Sequence, residues 1–430
     1  MKRTLFVLFL TPVILFAQEG VHFQSGLNWQ QIKEKAKAEN KYIFVDCFAT
    51  WCGPCMQMDN KVYPVDSVGE FINSHFLSVR VQCDTSKNDS ETVKSWYADA
   101  HEILSTYPIS VYPTFLFLSP DGKLVHTGIG YQDPGAFLAL GRDAIDPRRQ
   151  YYQLLERYRQ GTKDYPAMYY LANTAQKLGE PEVAHSIAAD YIHNYLEKLA
   201  DEAFLTKENI TFIATYPDML DLKSRLFDLT LHQSATVNTL LHDSGFSARV
   251  VNYVISKDEI NPTLEAAKKN GVAPDWEAMS KTFQQKFGSA YVEDNVFMAR
   301  IRWYLRIQDW KNYTKYVIEK NEYDHIEEHL PKDVMGLNMV NGIAWDIFQH
   351  SNNKEELEKA ARWSDLVLAR LGPQSGPVYA QCIDTKANLL YKLGRKAEAL
   401  ALEAKASELA ANDKGVQDTY QKMKEGKPTW

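Results

Sequence analysis

The sequence predicts an α/β sandwich, a mixed sheet flanked by helices, over residues 18–147, followed by an all-α helical-repeat domain over residues 148–430. Three observations predict it. Between residues 28 and 144, apolar runs of strand length alternate with stretches of helical periodicity in the order α-β-α-β-α-β-β-α. Such an alternation, ending in a hairpin, builds a mixed sheet covered by helices. Strand signals stop after Asp146-Pro147, and small residues then recur at related offsets in three helical stretches.

The elements follow in order. Trp29, Ile32 and Ala36 fall three and four apart within Asn28–Lys41, which predicts an amphipathic helix. Tyr42–Phe48 is a continuous apolar run suited to a buried parallel strand. A Trp51-Cys52-Gly53-Pro54-Cys55 turn leads into a helix from about Cys55 onward. Phe76–Cys83 reads as a second strand, and a polar turn then precedes a helix around Val93–Leu104. Thr114–Leu118, the turn Ser119-Pro120-Asp121-Gly122 and Leu124–Thr127 form a hairpin. Gln132–Ala144 closes the region with a helix. Beyond it, Leu171-Ala172, Leu178-Gly179 and Ala184 form one copy of the small-residue pattern. Ala344-Trp345, Ala360 and Val367 form a second with a longer gap, and Ala387, Leu393-Gly394, Ala399 and Ala406 a third.

The 430 residues carry a formal net charge of −7, without the basic footprint of a nucleic-acid binder. Lys2 and Arg3 precede the apolar run Leu5–Phe16, with Ala17 as a cleavage point. This predicts a signal peptide over residues 1–17 and an exported, periplasmic protein. The run is too short to span a bilayer, so no stable membrane insertion is expected after cleavage. Five cysteines are few for an exported chain of this length, which can stabilise itself by burial.

The Cys52/Cys55 pair therefore asks for a chemical explanation. A thiolate at a helix start faces unpaired N–H groups and the positive end of the helix dipole, which lowers the Cys52 pKa. Cys55 lies one turn on, within reach of Cys52. Pro54 suits a first helical turn, and Gly53 removes bulk where a substrate must approach. A zinc half-site would need two further ligands at suitable spacing, and a disulfide across so short a loop would stabilise little. His325 and His329 stand four apart and could share a metal on one helix face, but they lack the zinc-protease pattern.

The run Val45-Asp46-Cys47-Phe48-Ala49-Thr50-Trp51-Cys52-Gly53-Pro54-Cys55 resembles the active-site strand and turn of thioredoxins, a similarity extending from about Trp29 to Ala144. The resemblance implies a thioredoxin-like fold and a protein-disulfide oxidoreductase. Its redox group would be the Cys52–Cys55 disulfide itself, with no cofactor and no metal. Asp46 holds the place of the family's buried aspartate, implied to help deprotonate Cys55 through water. Tyr112-Pro113-Thr114 resembles the cis-proline loop beside the redox pair. Tyr112 stands where many relatives carry Ile or Val, a departure bearing on substrate preference. Arg80 aligns with a basic residue near the aspartate. Cys47 and Cys83 lie in the two apolar strands, where buried free thiols, a mutual disulfide and a regulatory role all stay open.

The small-residue pattern resembles tetratricopeptide repeats over about half of residues 151–430, implying stacked helix pairs that bind protein. The functional expectation is a reductant of disulfides in exported client proteins. Cys52 is the nucleophile and Cys55 the resolving thiol, a membrane-bound or other thiol donor supplies electrons, and the repeats dock partners. The alternative is an interaction and assembly module in which the first domain is an isomerase, a redox sensor or a minor component.

Overall fold

The computed structural model describes residues 20–430; the signal peptide expected at residues 1–17 lies outside the described residues. The first helix, α1 (Trp29–Glu39), begins with a reciprocal cap. Asn28 accepts from the Gln31 N–H, while the Gln31 side chain caps the Asn28 N–H. It buries Trp29, Ile32 and Ala36. Next come β1 (Tyr42–Phe48), α2 (Gly53–Lys61), α3 (Asp66–His75) and β2 (Phe76–Gln82). Then follow α4 (Glu91–Ser95), α5 (Tyr97–Thr106), β3 (Thr114–Leu118), β4 (Leu124–Ile129) and α6 (Pro134–Ile145).

Two of these elements depart from the expected order. The helix expected from Cys55 onward is two helices, because Tyr63 precedes Pro64 and a residue before proline is driven out of helical backbone. The helix expected around Val93–Leu104 is also two helices, with the break at Trp96. Before α1, Phe23 makes a single parallel bridge to Ser78, too short to leave a periodic signal.

The four strands form one mixed sheet in the order β2-β1-β3-β4. β1 pairs parallel with β2 and antiparallel with β3, and β3 pairs antiparallel with β4. Strand side chains alternate between faces. Ile43, Val45 and Cys47 therefore join Trp29, Ile32 and Ile103 in one core layer, beside α1 and α5. Phe44 joins Met58, Ile72 and Phe137 in the other, beside α2, α3 and α6. Burial on both faces explains why β1 reads as an apolar run interrupted only at Asp46. Its one charged residue, Asp46, shares Phe44's face and stands opposite Arg80 of β2.

Among the described residues, 148–430 contain helices and no strand. The chain divides into two compact units, one ending at Met219 and the other running Leu220–Trp430. The first includes α7 (Tyr151–Arg159), α8 (Tyr165–Lys177) and α9 (Pro181–Asn194), with Leu171, Ala172 and Ala184 buried. In the second, Ala344, Ala360 and Val367 sit in one core cluster, and Ala387, Ala399 and Ala406 are fully buried where Pro377–Lys392 packs on Lys396–Leu409. Gly394 ends the first of those two helices at φ +83°, a backbone state that costs glycine nothing. His325 and His329 do not share a helix face. Their helix stops at Tyr323 and both lie in the turn that follows.

Candidate functional site

Cys52 is the N-cap of α2, in extended backbone, and its Sγ accepts the Cys55 N–H at 3.1 Å. The two sulfurs form a disulfide with a Cα–Cα distance of 5.3 Å, and both residues are buried. Pro54 falls in the first turn of α2, where its missing N–H is no loss. A Cβ at Gly53 would meet nothing within 4 Å, so the room beside the disulfide opens outward. The turn before it is tied down by Asp84, which accepts from the Thr50 N–H at 3.0 Å and from the Thr50 hydroxyl. Asp84 is a site residue that the sequence did not single out, because nothing local links it to Thr50.

Trp51 and Tyr112 form the rim. Trp51 is 72% exposed, and its ring meets the Tyr112 ring edge-on at 6.0 Å. Tyr112 packs beside Ala49, Cys52 and Cys55. The Tyr112–Pro113 peptide bond is cis. The loop is held by the Pro113 carbonyl, which accepts from the Gly130 N–H at 2.8 Å, and by the Thr114 hydroxyl, which donates to Val111 at 2.7 Å.

Asp46 is 1% exposed. Arg80 Nε donates to its Oδ2 at 3.1 Å, and Arg80 Nη1 lies 3.1 Å from Asp59 Oδ1 on α2. The guanidinium also lies over the Phe48 ring, 4.1 Å from its centre. Burial pushes the Asp46 carboxyl up to about 6, and the Arg80 charge opposes that rise. The Tyr63 hydroxyl sits close enough to favour the carboxylate, yet Asp46 Oδ1 and Tyr63 Oη are both buried without a hydrogen-bond partner. Asp46 thus keeps one oxygen free and titrates close to neutrality. Tyr63 and Asp59 were not picked out in the sequence, since they reach Asp46 and Arg80 only through the packing of α2 and the turn after it on the sheet. Among the described residues, no group of three or more His, Cys, Asp or Glu side chains could hold a metal ion.

Residues 29–145 match the family model for a thioredoxin-like domain. Together with the mixed sheet and the Cys52–Cys55 disulfide, this defines the first part of the chain as a thioredoxin-like domain, followed by a largely helical region. Thioredoxin Asp f 29 of Aspergillus fumigatus is 27% identical over 108 residues, covering 25% of this chain and 83% of its own. Thioredoxin-2 of Pyricularia oryzae is 30% identical over 107 residues, covering 25% of this chain and 51% of its own, about half its length. The solved structure of DsbH oxidoreductase aligns with 32% of this chain and 94% of its own, at 16% identity and a TM-score of 0.27. The sequence relatives support thiol–disulfide oxidoreductase chemistry in general.

Proposed function

We propose that the protein is an exported, periplasmic thiol–disulfide oxidoreductase that reduces disulfides in exported client proteins. The observation that carries this reading is the placement of Cys52 at the α2 N-cap with its Sγ accepting the Cys55 N–H. That N–H and the helix dipole stabilise a thiolate on Cys52 in the reduced enzyme.

In the forward step the Cys52 thiolate attacks a client disulfide, forms a mixed disulfide and releases one client thiolate. Cys55 then attacks the Cys52 sulfur, releasing the second client thiol and leaving the Cys52–Cys55 disulfide. Asp46 takes up the Cys55 proton. Supporting that role, it is buried on the face packed against α2, retains an unpartnered oxygen and has a carboxyl pKa near neutrality. Trp51, Tyr112 and Pro113 border the approach to the disulfide and receive the client backbone. A membrane-bound or other thiol donor returns the disulfide to the dithiol. The helical region, with tetratricopeptide-like pairing, docks clients or the donor. Supporting export, the Lys2-Arg3 start precedes a short apolar run. No helix among the described residues is long and apolar enough to cross a membrane.

The test is dithiothreitol-driven insulin reduction by the full chain and by Cys52→Ala, with Cys55→Ala used in the native host to trap clients on Cys52. Equal insulin rates for wild type and Cys52→Ala would end this reading. Trapping of no protein by Cys55→Ala would remove the client role. An intact Met1 on the mature protein would remove export.

A further inference from the structure

We propose that Cys47 and Cys83 form a second reversible dithiol–disulfide site, separate from Cys52–Cys55, at which Cys83 exchanges with the disulfides of low-molecular-weight thiols and Cys47 resolves the product. It does not depend on the role assigned above to Cys52 and Cys55.

The sheet brings the two thiols together. In the parallel register of β1 and β2, Cys47 stands opposite Val81. Cys83 is two residues beyond Val81, hence on the same face of the sheet. Its backbone N–H donates to the Phe48 carbonyl at 2.8 Å, which holds the end of β2 against β1. In thiol form, Cys83 Sγ–H donates at 3.5 Å to the carbonyl of Val81, the residue paired with Cys47. Cys83 packs against the core layer that contains Cys47, close enough for each thiol to bear on the other's proton affinity. Both are free thiols in this structure.

Their surroundings differ in the way an exchange site requires. Cys47 is fully buried, whereas Cys83 lies at the sheet edge and is half-buried. The Tyr112 hydroxyl lies near Cys83 and favours its thiolate. The nearby Cys47 thiol and Tyr112 hydroxyl hold the Cys83 thiol below its usual range, against burial and the charges of Asp46 and Asp84. The nearby Cys83 thiol and burial push Cys47 well above that range. Of the two, the accessible sulfur therefore gives up its proton the more readily.

The exchange balances. The Cys83 thiolate attacks one sulfur of a disulfide R–S–S–R, forming Cys83–S–S–R and releasing RS⁻. Cys47 gives its proton to that thiolate, attacks Cys83 Sγ and expels the second RS⁻, which takes a proton from solvent. Two protein thiols are oxidised and one external disulfide is reduced. A disulfide closes at about 4.4–6.8 Å between Cα atoms, so two cysteines on neighbouring strands and two residues out of register must close a gap to form one. Cys83 lies one residue past the end of β2, so closing that gap moves the end of the strand, at the expense of the Cys83 N–H bond to the Phe48 carbonyl. Closure also withdraws Cys83 from Tyr112, so the state of the second pair reaches the rim of the first.

The test uses the full-length Cys52→Ser/Cys55→Ser chain, folded, incubated with oxidised glutathione, then alkylated and mapped by mass spectrometry. The expected product is a linkage between the peptide bearing Cys47 and the peptide bearing Cys83, reversed by dithiothreitol, with Cys382 unlinked as the internal control. Adding Cys47→Ala should leave Cys83 as a stable mixed disulfide with glutathione. In the wild-type chain, which needs no substitution to fold, the Cys83 peptide should likewise be found linked. Alkylation of Cys47 and Cys83 as free thiols in both the wild-type and double-Ser chains, or linkage only after unfolding in urea, would overturn the proposal. Either result would leave the assignment of Cys52 and Cys55 untouched.

Discussion

Arg80 Nε donates to Asp46 Oδ2 across the β1–β2 ladder, and the same guanidinium reaches Asp59 on α2. One cation thus serves two carboxylates, one buried and one partly exposed. The buried one is held part-way between the ordinary carboxylate range and full neutralisation. Arg80 sets how far burial can raise Asp46.

Removing the cation should push Asp46 further up. An arginine beside a carboxylate lowers its pKa by roughly 1–3 units. Arg80 is shared with Asp59 and partly exposed, so Arg80→Met should raise Asp46 by about one unit. If Asp46 accepts the Cys55 proton, the acid limb of the rate–pH profile for reducing a small disulfide moves up by the same amount. A profile that overlays wild type from pH 5 to 9 would separate Arg80 from the proton transfer.

Asp46→Asn should slow turnover and strengthen the fold. A carboxyl raised from 3.8 to about 6 binds its proton more tightly in the folded state. Its stabilisation is complete below the unfolded pKa and is lost as pH rises through about 6. At pH 7.5 the ionised, buried Asp46 costs on the order of 1–3 kcal/mol. Urea unfolding of the disulfide-bonded protein should therefore show Asp46→Asn gaining stability relative to wild type between pH 4.5 and 7.5. The turnover fall should reach ~10-fold or more. A stability difference that stays constant with pH would contradict the raised pKa.

A second carboxyl pair lies in the helical region. Glu403, fully buried, is pushed up to about 9 by burial and by Asp384. Asp384 is pushed up to about 6 by burial, against the nearby Glu403 carboxyl and the hydrogen bond that Asn388 donates to it. The pair holds one proton at neutrality, and its stabilisation is lost progressively as pH rises from the ordinary carboxyl values of 3.8 and 4.5 up to about 9. Glu403→Gln keeps the shape and removes the second ionisation. It should stabilise the chain by about 1–3 kcal/mol at pH 8.5 and by little at pH 5. Thermal unfolding at the two pH values checks this, and equal shifts would refute it.

The seam between Pro377–Lys392 and Lys396–Leu409 should resist added bulk. Ala399 is fully buried there, whereas Ala401, on the same helix, is exposed. Ala399→Leu should cost about 1–3 kcal/mol through overpacking. Ala401→Leu should stay within ~0.5 kcal/mol of wild type. Urea midpoints of the two variants decide it, and equal costs would show that small residues do not govern this packing.

Much of the site is legible along the chain because the forces that shape it act within a turn or a strand. The nearly continuous apolar run of β1 marks a strand buried on both faces. The Cys-Gly-Pro-Cys turn places a sulfur at a helix start, where the nearest N–H groups belong to the same few residues. Helix boundaries are less legible. Pro64 divides one expected helix into two, because a steric rule at a single residue overrides a periodic pattern, and a second helix breaks at Trp96.

By itself, then, the sequence determined the alternation of strands with helical segments, the place of Cys52 at the start of α2 and the change to helices after Pro147. Each rests on spacing between near neighbours. Only the tertiary structure decided which partners surround the reactive groups. Asp46 acquires its raised pKa from burial, and Arg80, Tyr63 and Asp59 reach it across the sheet and from the helical layer above it. Cys83 acquires Cys47 and Tyr112 in the same way, from a neighbouring strand and from a loop. Burial and charge act through space, and distances through space are set by the closing of the sheet rather than by position along the chain.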